Sequence, residues 1–241
     1  MPLPKIDLPT YELTVPMSDD TIIVRPFSVK EEKLLLIAME SKDPNEITKT
    51  VKQVITNCII KGNLNIDKLP FFVVDHIFVF LRAKSIGESI EVNLTCNNTL
   101  DSGEICNNVF PAMMDISNCE IAISEGVSDD IKLSTDKGVK MRYPNYATMK
   151  RIEAGSDIDQ ISNTIVNSID YIWDKDGQYS WKDYSKEELK EFVESLTEEN
   201  YKKLQAFTEN LPTFLVKLEA TCNKCGFHHE VRYSDFYDFF T

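Results

Sequence analysis

Four of the six cysteines sit where extended chain turns back on itself. Cys96 and Cys106 are one pair, separated by nine residues, entered through Ser-Ile-Glu-Val-Asn-Leu-Thr and left through Asn-Asn-Val-Phe-Pro. Cys222-Asn-Lys-Cys225-Gly is the other, entered by the alternating run from Phe214 and left through Phe-His-His-Glu-Val-Arg-Tyr. Two residues between thiols let both thiolates reach one ion, and the following glycine admits the tight turn beneath it. The wider first spacing is less specific and is also compatible with two ordinary buried cysteines. Two such turns facing each other supply four sulfurs in a tetrahedron, the ligand set of a closed structural Zn2+ site. Cys96, Cys106, Cys222 and Cys225 are therefore the expected ligands, and the ion holds shape. The alternative is a zinc-dependent or dithiol redox enzyme of the cytosol. A redox Cys-x-x-Cys sits at a helix N-terminus after a strand, whereas strand patterns flank this one on both sides.

The remaining candidates are weaker. His228 and His229 follow Cys225, and strand alternation turns their rings to opposite faces, so at most one could approach the ion. His76 lies in an apolar helical run and reads as a core or interface histidine. Cys58 falls on a helix's inward face and Cys119 has no partner at ligand spacing, so both read as packing residues. The chain has three histidines and lacks His-Glu-x-x-His, Gly-x-Ser-x-Gly and any phosphate-cradling glycine loop. Asp174-Lys-Asp-Gly177 lacks the spacing and terminal Glu of a calcium loop and reads as a turn. No catalytic residues are assigned.

These groups must be positioned by a mixed set of elements. Tyr11–Val15 and Thr21–Arg25 read as a hairpin. Ser28 with Glu31 forms a capping-box pattern ahead of a helix to about Ser41 that turns Leu34, Leu35, Ala38 and Met39 inward. Asp43-Pro44 opens a second helix to about Ile60, with Ile47, Val51, Val54, Ile55 and Cys58 inward and Gly62 as its stop. An apolar helix spans Phe71–Ser85. Short strands are expected at 121–123, 131–133 and 139–143, then a helix over Ile158–Trp173. Ser185 with Glu188 opens another helix and Thr197 a last one before Pro212. The order predicts an α+β fold: antiparallel strands, a zinc-ribbon-like pair of four-cysteine hairpins and a mainly helical section. The expected division is 1–143, a helical section 144–212, and 213–241 packing back on the first part. The proline-rich start and the aromatic tail Asp235-Phe-Tyr-Asp-Phe-Phe240 are candidates for docking, on the body or on a partner.

The 241 residues suffice for a sizeable core, and the net charge of −13 opposes phosphate binding, so no nucleic-acid partner is expected. The start lacks a signal-peptide pattern, and no apolar run approaches the roughly 20 residues of a membrane span. Six cysteines are too sparse for a disulfide scaffold.

The string Pro2-Leu-Pro-Lys-Ile-Asp-Leu-Pro-Thr-Tyr-Glu-Leu-Thr-Val-Pro16, with Ile23-Val-Arg-Pro-Phe-Ser-Val-Lys-Glu-Glu and Lys68-Leu-Pro-Phe-Phe-Val-Val-Asp-His-Ile-Phe, resembles the baseplate hub and hub-assembly proteins of T4-like contractile-tailed phages. So does Leu81-Arg-Ala-Lys-Ser-Ile-Gly-Glu88. The resemblance is densest over residues 1–95, reaches the thiol hairpins, and involves no catalytic motif. It implies a non-enzymatic protein that binds other baseplate hub and tail proteins, as a built-in subunit or an assembly factor. It further implies assembly in the host cytoplasm and a place in the tail baseplate, and leaves room for a homo-oligomer.

Overall fold

The computed structural model describes residues 7–124, 126–152, 157–235 and Phe239, with 150–152 and 157–160 described as backbone. In chain order the first elements are β1 (Tyr11–Thr14), β2 (Thr21–Val24), α1 (Val29–Ser41), α2 (Pro44–Cys58), β3 (Ile59–Lys61) and α3 (Phe71–Ser85). β4 (Ser89–Thr95), β5 (Val109–Asp115), β6 (Glu120–Ala122), β7 (Asp130–Lys132) and β8 (Lys137–Met141) follow. Then come α4 (Tyr146–Ile152), α5 (Asp157–Ser168), β9 (Ile169–Asp174), β10 (Gln178–Ser180), α6 (Lys186–Glu194), α7 (Glu198–Glu209), β11 (Thr213–Thr221) and β12 (His228–Tyr233). The fold is α+β and, among the described residues, every strand pairing is antiparallel.

Two compact units divide the chain. The first is drawn from Met1–Ile66, Phe72–Ala122 and Thr213–Thr241, the second from Asp67–Phe71 and Ile123–Pro212. In the first, a three-stranded sheet ordered β1-β2-β3 accompanies α1 and α2, which pack against each other. α1 begins at a polar node. Glu31 accepts two hydrogen bonds from the Arg25 guanidinium at 2.8 and 2.9 Å and one from the Ser28 backbone N–H at 2.7 Å. Arg25 also reaches the Asn57 carbonyl at 3.1 Å, which ties the start of α1 to the end of α2. α2 starts at Asp43, whose carboxylate accepts the Asn45 N–H at 2.9 Å, with Pro44 at the position where a missing N–H costs nothing.

Ile47, Val51, Val54, Ile55 and Cys58 are all buried, as their spacing predicts. Leu34, expected inward on α1, is 41 % exposed. The buried stripe runs through Glu31, Leu35 and Ala38, and Leu34 is rotated away from it. α2 stops at Cys58, because the β-branched Ile59-Ile60 continues as a strand pairing with β2. Gly62 therefore closes β3 and not the helix. Its φ is +106°, and an added Cβ would lie 2.7 Å from Ile22 Cγ2.

β4 and β5 form a two-stranded ribbon whose alternation is clean: Ile90, Leu94, Phe110, Ala112 and Met114 are buried while Glu91, Asn93, Pro111 and Met113 face out. β11 lies between β12 and β6, and it packs against β5. Of the aromatic tail, Phe236, Tyr237 and Phe240 lie outside the described residues, as do residues 1–6 of the proline-rich start. Phe239 is fully buried, with its ring 5.7 Å from that of Phe214. Its carbonyl accepts the Arg82 Nε–H at 3.1 Å, and Arg82 also donates to the Gly87 carbonyl at 2.8 Å.

The second unit has a four-stranded sheet ordered β10-β9-β8-β7. Its core joins Ile131, Val139 and Met141 from the sheet to Ile165, Val166, Leu189, Val193, Leu204 and Phe207 from the helices. The helix expected over Ile158–Trp173 ends at Ser168. Ile169-Asp-Tyr-Ile-Trp173 is instead strand, held by ladders to β8 and β10. Branched and aromatic side chains at alternating positions favour that outcome once two partner strands are present. Ser185 caps α6 through a reciprocal box, its hydroxyl accepting the Glu188 N–H at 3.2 Å while its own N–H reaches the Glu188 carboxylate at 2.8 Å.

Candidate metal centre

Both thiol pairs stand at hairpin ends. The β4–β5 ribbon continues past its last ladder pair, with the Cys96 N–H bonded to the Asn108 carbonyl at 2.8 Å and the Cys106 N–H to the Asn98 carbonyl at 2.8 Å. Asn107, at φ 48°, folds its N–H back onto the Cys96 carbonyl at 3.0 Å. Asparagine tolerates that left-handed conformation better than most residues. The β11–β12 ladder closes at Thr221 opposite His228. Beyond it the Cys222 N–H meets the Phe227 carbonyl at 2.9 Å and the Gly226 N–H meets the Cys222 carbonyl at 3.0 Å. Gly226 takes φ +73°, the conformation for which the sequence supplies glycine.

The structure brings all four sequence-predicted ligands together. Their sulfurs lie within 4.8 Å of one another, with Cys96 and Cys225 at 3.6 Å and Cys106 and Cys222 at 4.0 Å. Sulfurs about 2.3 Å from a tetrahedral zinc stand about 3.8 Å apart, so the observed set fits that ion. A disulfide would bring two of them to about 2.05 Å; all six cysteines are free thiols. Cys96, Cys106 and Cys222 are buried and Cys225 is partly exposed. Each hairpin gives two ligands, so an ion here would join segments 129 residues apart in sequence.

Around the sulfurs are donors that sequence reading did not single out. The Asn98 side-chain amide points at Cys225 Sγ from 3.7 Å, and that of Asn108 at Cys222 Sγ from 3.5 Å. Asn108 also donates to Asn223 Oδ1 at 2.6 Å, and Lys224 Nζ reaches the Cys106 carbonyl at 3.3 Å. N–H donors aimed at sulfur stabilise thiolate charge and orient the ligand. The signal was present: each thiol of the first pair is followed by Asn-Asn. Burial acts to raise the Cys222 thiol, but the Cys225 and Lys224 N–H groups, the Asn108 amide and Cys225 outweigh it and bring it down to about 6. Burial pushes Cys96 up to about 12.

The other candidates lie elsewhere. His228 is exposed beside Glu219 at 3.9 Å. His229 is buried between Phe227 and Phe110, with ring centroids at 4.9 and 5.7 Å and Nε2 without a hydrogen-bond partner among the described residues. Neither imidazole belongs to the sulfur cluster. His76 Nε2 lies 3.1 Å from the Cys119 carbonyl, and burial lowers its pKa. Burial pushes the thiols of Cys58 and Cys119 up to about 12, leaving both protonated at neutral pH and poor nucleophiles. Asp174 accepts the N–H groups of Asp176 and Gly177 at 2.8 and 3.1 Å, closing the β9–β10 turn with its own backbone.

Fold and centre together define an α+β protein in which two distant β-hairpins converge on a closed set of four thiols, a set able to hold a metal ion. The chain belongs to the family described as T4 bacteriophage base plate protein, whose model matches residues 8–241. Comparison with curated proteins and with solved structures returned no match. No described helix is long and apolar enough to cross a membrane.

Proposed function

We propose that this chain is a non-enzymatic structural or assembly component of the baseplate hub of a contractile-tailed, T4-like phage. A Zn2+ ion on Cys96, Cys106, Cys222 and Cys225 holds its first unit in shape. Family membership over residues 8–241 carries the baseplate reading and implies binding to other baseplate proteins in the virion tail. The hub assignment rests on the quoted N-terminal strings. For zinc, the support is an all-sulfur set at tetrahedral separations. Four thiolates complete that geometry, so no position remains for a substrate. The ion's contribution is folding free energy, because the site forms only when both hairpins are in place. Assembly in the host cytoplasm, a reducing compartment, would keep the thiols available.

Affinity capture of the tagged chain from infected cells tests the first part. Baseplate hub proteins are expected to co-purify, and their absence from repeated captures would rule out the hub assignment. Elemental analysis tests the second part. One zinc per chain is expected, with the four clustered thiols becoming reactive only after chelation; a metal-free protein with unchanged folding would remove zinc from the account.

A further inference from the structure

Helix α1 is apolar on both sides. Glu31, Leu35 and Ala38 make its buried stripe. On the opposite arc Val29, Leu36 and Ile37 stand in solvent at 67, 48 and 64 % exposure, while Leu34, at 41 %, flanks the buried stripe. Single exposed aliphatics are ordinary, but Val29, Leu36 and Ile37 within about 100° of one another on a 13-residue helix form a patch.

The order of charges along the same arc says what encloses it. Lys30 is exposed in the first turn and Glu40 in the last, five residues either side of Leu35. A second α1 running antiparallel about a two-fold axis level with Leu35 sets Lys30 of each copy against Glu40 of the other. It also lays the Lys33 stem across Ile37 of the other copy. A parallel copy would place like charges side by side. Antiparallel packing also opposes the two helix dipoles favourably, and one patch serves both subunits, as a two-fold interface requires.

We propose that the exposed face of α1 is a self-association surface whose occupant is a second copy of this chain, paired antiparallel. The proposal goes beyond the baseplate reading and does not depend on the metal centre. α1 is about 20 Å long, and one helix pair buries less than the roughly 800 Å² per partner of a standard interface. A weak, concentration-dependent dimer is therefore expected.

Sedimentation equilibrium of the intact protein over about 1 to 200 µM spans the range of a weak dimer. The expected result is a weight-average mass rising from 27.6 kDa towards twice that value. Ile37→Glu should hold the protein at the monomer mass while leaving its melting temperature and zinc content unchanged, since the side chain lies in solvent. Lys30→Glu should weaken association about fivefold or more, and Lys30→Glu combined with Glu40→Lys should restore it. A wild-type protein that stays monomeric throughout, including one whose α1 face is covered by a different baseplate protein, overturns the proposal. So does association that survives Ile37→Glu, or a charge swap that fails to rescue.

Discussion

Asn108 divides one side-chain amide between Cys222 Sγ and Asn223 Oδ1, and so fixes a sulfur and the turn that carries it. Outer donors of this kind are worth about tenfold to a hundredfold in metal affinity. Asn108→Leu is expected to weaken zinc binding by that factor, measured by competition with a chromogenic chelator; unchanged affinity would make the N–H to sulfur contact incidental. Glu31 shows the other use of a buried polar group. Arg25 holds its carboxyl at about 2, well below the usual carboxylate range, and burial opposes the shift less strongly. A depressed carboxyl contributes stability that is complete above its unfolded pKa near 4.5 and disappears as pH falls through about 2. Replacing Glu31 with Gln should therefore cost about 2 kcal/mol at neutral pH. The difference from wild type should shrink between pH 4.5 and 2 in urea melts. A pH-independent difference would assign the cost to packing instead.

At the scale of elements, short signals and long ones behave differently. The capping boxes at Ser28 and Ser185, the Asp43-Pro44 helix start and the alternation of β4 and β5 read directly from the chain, because each depends on residues within one turn or one strand. The end of α2 and the run Ile169–Trp173 did not, because helical spacing and strand composition overlap there and sheet partners decided the matter. Gly62 follows from the same correction. Gly62→Ala must take φ +106° and press a Cβ to 2.7 Å from Ile22, so a loss of about 2 kcal/mol is expected. Gly177→Ala, with open space around its Cβ, is the control and should shift the chemical melt by less than about 0.5 kcal/mol. Equal effects at the two positions would refute the account of Gly62.

For the molecule as a whole, the four thiols all belong to the first unit, while the second has its own core of sheet and helix residues. Chelation, or Cys225→Ser, should therefore lower the melting temperature of the first unit by about 10 °C or more. Hydrogen exchange should accelerate in β4, β5, β11 and β12 while β8, β9 and α7 keep their protection. Uniform acceleration in both units would mean that the clip acts on the whole chain. The α+β class, the helix starts, the Cys-x-x-Cys turn and the likeness to phage baseplate proteins are all legible within short windows of the chain. Only the assembled fold brings Cys96 to Cys225, aims Asn98 and Asn108 at sulfur and places the Phe239 carbonyl on Arg82. Those outcomes depend on where a chain returns after a hundred residues or more. No local propensity encodes that distance; the burial of many side chains together does.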